Sequence, residues 1–322
     1  MKPILNKNDV EININKAQKI LKNGDLVIFP TETVYGLGGN ATDENAIKKI
    51  YKIKNRPSNN PLICHFKNIN SIEKDFLIND TSYELAKKFW PGPLTLVLEK
   101  KYSSDISSKL SNQKKFVGCR IPNHPIAQKL LNGIPFPIAA PSANISTKLS
   151  STKINHLSKK LKDNIFFLDG GKSFYGLEST VINASNNNPK ILRLGSITLE
   201  EIKKIIPSII LENQNNFSSL SPGQQIKHYS PSLPIRINVN SVLTGEALLN
   251  FGNNNLKSEI IELNLSPKEN LEEAGKNFYD YLHILDNSQC NGIAVAPIPN
   301  HNLGKTINDR LVRASEINSN LN

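Results

Sequence analysis

Five short clusters of polar residues stand at the ends of apolar runs in the first 200 positions, where α/β proteins build their sites. Pro30-Thr31-Glu32-Thr33-Val34-Tyr35-Gly36-Leu37 offers two hydroxyls, a carboxylate and a phenol ahead of further glycines, as a pocket wall would. Lys54-Asn55-Arg56-Pro57-Ser58-Asn59-Asn60-Pro61 sets two cations two residues apart in an extended segment, so that both can face one polyphosphate; a solvated basic loop is the alternative. His65 follows in the next apolar run, where a lone histidine is usually a satisfied core or surface residue. Val117-Gly118-Cys119-Arg120-Ile121-Pro122 ends an apolar run on an arginine, whose charge needs a carboxylate, either bound or supplied by the protein. Pro141-Ser142-Ala143-Asn144-Ile145-Ser146, with Ser150 beyond it, offers hydroxyls and backbone N–H groups to a phosphate. Gly176-Leu177-Glu178-Ser179-Thr180-Val181, followed by Arg193, is the fifth cluster. Each is also compatible with an ordinary turn.

Arginine usage sharpens the reading. Among 39 Lys and Arg residues only six are arginine, namely Arg56, Arg120, Arg193, Arg236, Arg310 and Arg313. In so lysine-rich a chain an arginine marks a place where planar, bidentate binding is needed, and the first three of the six lie in or beside the clusters. Common nucleotide cradles are missing. Gly171-Lys172-Ser173 imitates the end of a Walker A loop, but the glycine required five residues earlier is Phe166. Gly36-Leu37-Gly38-Gly39 is no dinucleotide fingerprint, because its third glycine would fall on Ala41. No HExxH or GxSxG is present, so neither a zinc protease nor a serine nucleophile is indicated.

The elements that must position these residues read as a mixed α/β pattern. Strands are expected at Leu26–Phe29, Leu62–Phe66, Leu94–Leu98, Phe116–Arg120, Pro137–Ala140, Ile165–Leu168, Ser179–Asn183 and Ile191–Leu194. Thr42 can cap a helix through Ala46, Ile47, Ile50 and Tyr51, and Asp80 one through Leu85 and Phe89 that stops at Pro91-Gly92. Further helices are expected near His124–Leu131 and Leu199–Ile205. Many strands with interspersed helices imply an α/β domain with a sizeable mixed sheet over residues 1–211. Residues 212–234, rich in Asn, Gln, Ser, Gly and Pro, read as a linker. Residues 235–322 alternate strands (Ala247–Phe251, Ile260–Leu263, Gly292–Pro297) with helices (Leu271–Leu285, Leu303–Ile317), as in a small Rossmann-like α/β domain.

The bulk properties bound the rest. A length of 322 residues suits one large domain or two ordinary ones. The start Met1-Lys2-Pro3-Ile4-Leu5 lacks a signal-peptide core, and no apolar run reaches the roughly 18 residues of a membrane span, so a cytoplasmic protein is expected. Cys64, Cys119 and Cys290 form no CxxC pair and read as buried small hydrophobes rather than metal ligands. The net charge of +11 fits a polyanionic partner such as RNA or a nucleotide, or simply a lysine-rich solvated surface.

Taken in order, Pro30–Gly38, Lys54–Pro57, Trp90-Pro91-Gly92-Pro93, Arg120-Ile121-Pro122, Pro141–Asn144 and Glu178–Val181 closely resemble the YrdC-like family of L-threonylcarbamoyladenylate synthases. Ser221-Pro222-Gly223, His228-Tyr229-Ser230-Pro231 and Ile307-Asn308-Asp309-Arg310-Leu311 resemble its long, two-domain form. The resemblance implies a concave, twisted mixed-sheet domain whose cleft holds ATP and L-threonine. It further implies that threonine, bicarbonate and ATP, with Mg²⁺, yield threonylcarbamoyl-AMP and pyrophosphate. The product would pass to a tRNA threonylcarbamoyltransferase complex for modification of the adenosine next to the anticodon, with weak direct contact to tRNA an open matter.

By the same resemblance Lys54 and Arg56 would hold the phosphates, with Asn60, Ser142, Asn144, Ser150 and Arg193 assisting the nucleotide. Thr33, His65, Arg120, Ala140 and Ser179 would face threonine. Phe116, like Ala140, falls at a pocket position open to backbone contact, Phe116 on the nucleotide side. Tyr229 would fold over the cleft as part of a lid, and no protein metal ligand is implied. Gln224, Gln225, Ile226 and Lys227 depart from the family's linker pattern of Met, a variable residue, Tyr and Arg. A non-catalytic RNA-binding module is the main rival. A carbamoyl-transferring maturation factor would carry zinc-finger and acylphosphatase regions, which this chain lacks. The roles of Arg310 and Arg313 stay open between ligand binding and ion pairing with acidic residues such as Asp309.

Overall fold

A computed structural model describes residues 7–112, 114–212 and 229–315. The chain opens with α1 (Lys7–Lys22), β1 (Val27–Phe29), β2 (Gly36–Asn40), α2 (Glu44–Lys54), β3 (Ile63–His65), α3 (Ile69–Asp75), β4 (Phe76–Leu77) and α4 (Asp80–Phe89). It continues through β5 (Leu94–Lys100), β6 (Phe116–Arg120), α5 (Pro125–Asn132), β7 (Ile138–Ala139), α6 (Lys159–Asn164) and β8 (Phe166–Phe167). Then come β9 (Thr180–Asn183), β10 (Lys190–Arg193), α7 (Leu199–Lys203) and β11 (Ile210–Leu211). These strands form one mixed sheet in the order β11-β10-β9-β5-β6-β3-β7-β2-β1-β8, with β4 paired to β5. The second unit consists of β12 (Ile235–Arg236), β13 (Glu246–Asn250), β14 (Glu262–Asn264), α8 (Leu271–Asp286), β15 (Gly292–Val295) and α9 (Leu303–Ser315). Its sheet, β12-β15-β13-β14, is parallel throughout, as the Rossmann-like reading requires. Among the described residues no helix is long and apolar enough to cross a membrane.

The main strands and helices form where apolar spacing predicts them, and the differences are physical. Helix α2 is capped by Asp43, whose carboxylate accepts the Asn45 N–H at 2.8 Å, while Thr42 instead donates its hydroxyl to Asn40 Oδ1. Helix α4 is capped by Asn79 in a reciprocal box with Ser82, so Asp80 becomes its first residue. The segment Lys7–Lys22 carries Ile14, Ala17 and Leu21 on one buried stripe against Phe29, Leu130 and Leu131, a helix that short-range turn signals did not mark. The glycine-rich segment Gly36–Asn40 is a strand, not a turn. It pairs with β1 so closely that a Cβ on Gly38 would lie 2.7 Å from Ile138 Cγ2 and from the Phe29 ring. Strand formers are excluded there by packing, which hides the strand from propensity. Cys64 and Cys119 are buried, whereas Cys290 is only half-buried, its Sγ near the Leu285 carbonyl. The last helix is described to Ser315; Glu316, Ile317 and the linker residues 213–228, including Ser221-Pro222-Gly223, Gln224–Lys227 and His228, lie outside the described residues.

The two units meet over a polar seam. Asp280 on α8 faces Lys172 at 2.9 Å, His156 at 3.2 Å and Lys153, while His283 Nε2 lies 3.1 Å from the Ser150 carbonyl and stacks on the His156 ring. Thr306 donates to the Gly195 carbonyl at 3.0 Å, and Lys305 pairs with Glu200 at 2.6 Å. Gly195 itself is pressed onto β9: a Cβ there would sit 2.3 Å from the backbone of Ser179 and Thr180. Backbone cannot move aside as a flexible side chain can. Gly195→Ala is therefore expected to destabilise the protein by about 1–3 kcal/mol, the cost of overpacking, read as a lowered midpoint in thermal or urea unfolding.

Candidate functional site

Helix α2 ends because Asn55 adopts the left-handed conformation (φ 50°), its N–H returning to the carbonyls of Lys52 and Tyr51. That reversal leaves Lys54 on the last turn and Arg56 just past it, so the pair seen in sequence flanks one tight corner. Both cations are buried. Lys54 Nζ donates to the Ser142 carbonyl at 2.5 Å and to the Asn144 carbonyl. Arg56 Nε donates to the Asn60 carbonyl at 3.0 Å and Nη2 to Pro61 O at 2.8 Å and to the Asn60 side chain. Every one of these partners is a neutral oxygen, and among the described residues neither cation has a carboxylate within ion-pair reach. Burial, with Arg56 beside it, pushes the Lys54 ammonium well below the ordinary lysine range. Burial likewise brings Arg56 down to about 10, against the opposing influence of Tyr51 and Tyr229.

A second polar end is built by the sheet. Strands β3 and β6 are parallel with His65 opposite Arg120, and the Ala140 N–H bonds to the Ile63 carbonyl at 2.8 Å. Arg120 Nη2 donates to Glu32 Oε1 at 2.6 Å, so the arginine that needed a carboxylate has one from the protein. Glu32 Oε2 and His65 Nδ1 are buried without a hydrogen-bond partner among the described residues. Burial and then Arg120 push His65 down to about 3, so its imidazole is neutral at pH 7. The Thr31 hydroxyl donates to the Val34 carbonyl at 2.6 Å and accepts the Thr33 N–H at 3.2 Å, which fixes the turn carrying Thr33.

Between these ends lies a cleft. Of the residues singled out in sequence, Thr33, Arg56, His65, Arg120, Ala140, Ser142, Ser179, Arg193 and Tyr229 form its wall. Lys54, Asn60 and Asn144 stand behind that wall and hold it: Asn144 Oδ1 accepts the Ser142 hydroxyl, and Asn60 cradles Arg56. Ser150 is also outside the wall, its hydroxyl donated to Glu178 Oε1 at 2.6 Å. Phe116 is not brought to the cleft. It begins β6, four residues before Arg120, and its ring packs on Val97, Val181 and Leu192. Arg193 bonds Ser179 through Nε and Nη2, at 3.2 and 2.7 Å to the carbonyl. Tyr229, with φ 66°, lies almost fully buried in the wall, its neighbour Ser230 bonded to the Thr147 carbonyl at 2.8 Å. Thr31 and Tyr35, expected from their cluster to form a pocket wall, line the cleft, and so does Glu178, to which sequence reasoning gave no role of its own. Glu178 was quoted only as part of its motif, and its partners come from too far along the chain for spacing to show them.

Three comparisons bear on this geometry. A family model described as "Telomere recombination", the Sua5, YciO and YrdC family, matches residues 19–195. A second, described as "Threonylcarbamoyl-AMP synthase, C-terminal domain", matches residues 197–316. The threonylcarbamoyl-AMP synthase of Bacillus subtilis is 34% identical over 97% of this chain and 94% of its own, and that of Pyrococcus abyssi 36% identical over 95% and 94%. The crystal structure of P. abyssi Sua5 complexed with L-threonine superposes with a TM-score of 0.85 at 34% identity, covering 94% of both chains.

The histidine environment sets a pH dependence. A folded-state value near 3 lies below the ordinary 6.5, so between those limits the unfolded chain binds a proton that the folded chain refuses. This contribution is intact above about pH 6.5 and is lost as pH falls towards 3. Replacing His65 by Gln is expected to flatten the fall of unfolding free energy between pH 6 and 4 by ~1.4 kcal/mol per unit, measured by urea titration at stepped pH.

Proposed function

The chain belongs to the Sua5/YciO/YrdC family in its two-domain threonylcarbamoyl-AMP synthase form, and on that premise we propose that it joins L-threonine, bicarbonate and ATP into threonylcarbamoyl-AMP and pyrophosphate. The observation that carries the reading is the pair Lys54 and Arg56, buried beside the cleft with neutral partners only. A triphosphate would supply the anion they lack. At the other end, the unpartnered Glu32 Oε2 and His65 Nδ1 beside Arg120 match what a small zwitterion with a hydroxyl needs. Threonine, the ligand of the P. abyssi protein, has that chemistry.

The threonine amine would take up bicarbonate with loss of water, giving an N-carboxylate. One of its oxygens would attack the α-phosphorus while the bond to the β-phosphate oxygen breaks and pyrophosphate leaves. No protein nucleophile is needed; the chain's part is to position and to neutralise charge. Arg56 and Arg193 would face the phosphates from the wall, Lys54 from behind Ser142 and Asn144. Thr33, His65, Arg120, Ala140 and Ser179 would enclose threonine. Asn60 and Ser150 would act through the groups they hold, and Phe116 only through the β6 framework. Among the described residues no group of three or more His, Cys, Asp or Glu could cage a metal. Mg²⁺ therefore fits as an ion carried on the triphosphate, where it would offset phosphate charge. The acyl-adenylate is water-sensitive, and Tyr229 in the wall would help exclude solvent until the product passes to a tRNA threonylcarbamoyl transfer step.

Pyrophosphate release from ATP, Mg²⁺ and bicarbonate is expected to require L-threonine and to fall about 100-fold or more in Arg56→Ala. Tyr229→Ala is expected to lose product formation in a chain that still folds, with a lowered unfolding midpoint because the ring is buried in the core. Threonine-independent ATP turnover, or tight salt-sensitive RNA binding without turnover, would overturn the reading.

A further inference from the structure

Arg310, on α9 of the second unit, is fully buried, and its guanidinium gathers four groups from three parts of the chain. Nε donates to Glu178 Oε2 at 3.1 Å, Nη2 to the Leu194 carbonyl at 2.7 Å, and Nη1 to Asp309. Its central carbon, Cζ, lies over the Tyr229 ring, 4.6 Å from the ring centre. Two of these groups, Glu178 and Tyr229, are in the cleft wall, and Leu194 directly follows Arg193. From α8, Tyr279 donates its hydroxyl to Glu178 Oε1 at 2.8 Å, the same oxygen that receives the Ser150 hydroxyl. Glu178 thus has both oxygens engaged by groups that do not touch the cleft, and two of those come from the second unit. Burial would raise its carboxyl, but Arg310 and Arg193, with Ser150 and Tyr279, outweigh it and hold the group below the ordinary carboxylate range.

We propose that Arg310 and Tyr279 are positioning residues for the reaction: the second unit fixes the Glu178 carboxylate, and through it Ser179 and Arg193, while Arg310 also seats Tyr229 against the cleft. This rests on the adenylate-forming reading above. The chemistry suits the task. A planar guanidinium can bond a carboxylate and a carbonyl at its edge while stacking an aromatic ring on its face, and an ammonium cannot do all three. The second unit then completes the nucleotide side of the site instead of carrying a site of its own.

The test uses the full chain and reads KM for ATP, which loss of folded enzyme does not change. Tyr279→Phe keeps the ring and the core and removes only the hydroxyl. It is expected to raise KM for ATP about threefold to tenfold, and to add nothing further when combined with Glu178→Gln. Arg310→Lys is expected to raise KM more and to increase wasteful hydrolysis of the adenylate. Lys305→Ala, which cuts a contact of the same seam remote from the cleft, is expected to leave KM unchanged. An unchanged KM in both Tyr279→Phe and Arg310→Lys, or effects of Tyr279→Phe and Glu178→Gln that simply add, would overturn the proposal. If the wild-type chain itself made no adenylate, the functional reading would fail first.

Discussion

Burying an ammonium and a guanidinium side by side is among the costliest arrangements a fold can adopt, and it persists only when something compensates. Here Lys54 and Arg56 are held by carbonyl and amide oxygens alone. Carboxylates are not scarce nearby, since Glu32 and Glu178 stand in the same region, but each is taken by another arginine. The arrangement keeps positive charge desolvated at the cleft, where a polyanion gains most from it because water no longer screens the attraction.

Much of the architecture serves to hold that charge in place. The left-handed turn at Asn55 sets the spacing of the pair, and the loop after β7 presents the Ser142 and Asn144 oxygens to Lys54. The parallel pairing of β3 with β6 places His65 beside Arg120. The glycine strand β2 lets the sheet close over Phe29, and the bridge from Gly36 to Ser142 ties it to the end of the wall where Lys54 is held. The second unit adds a buried ion pair from outside the sheet, at Glu178 and Arg310.

The sequence made the site more legible than the framework. Lys54, Arg56, Arg120 and Ser142 could be picked out because few residue types bind phosphate or carboxylate and these sit at the ends of elements, the first two at the end of helix α2 and the others at strand ends. Their partners could not. Asn55, Glu178 and Tyr279 act through a backbone dihedral or through contacts over a hundred positions apart, as in the bond from Tyr279 to Glu178, and spacing along the chain carries no trace of either. Helix caps slipped by one residue because neighbouring polar residues, Thr42 with Asp43 and Asn79 with Asp80, are chemically equivalent caps, and only the backbone decides between them. Strand β2 was hidden because its glycines are there for packing. Phe116 was assigned to the pocket by resemblance alone, and a strand places residues four apart roughly 13 Å from one another.

The central claim is that the cleft carries buried positive charge awaiting a polyphosphate, and thermal unfolding of the apo chain with ATP or adenosine, without threonine, tests it most directly. ATP well above its dissociation constant should raise the midpoint by several degrees, adenosine should not, and Arg56→Met should lose the rise. A rise as large with adenosine, or one retained in Arg56→Met, would contradict the account.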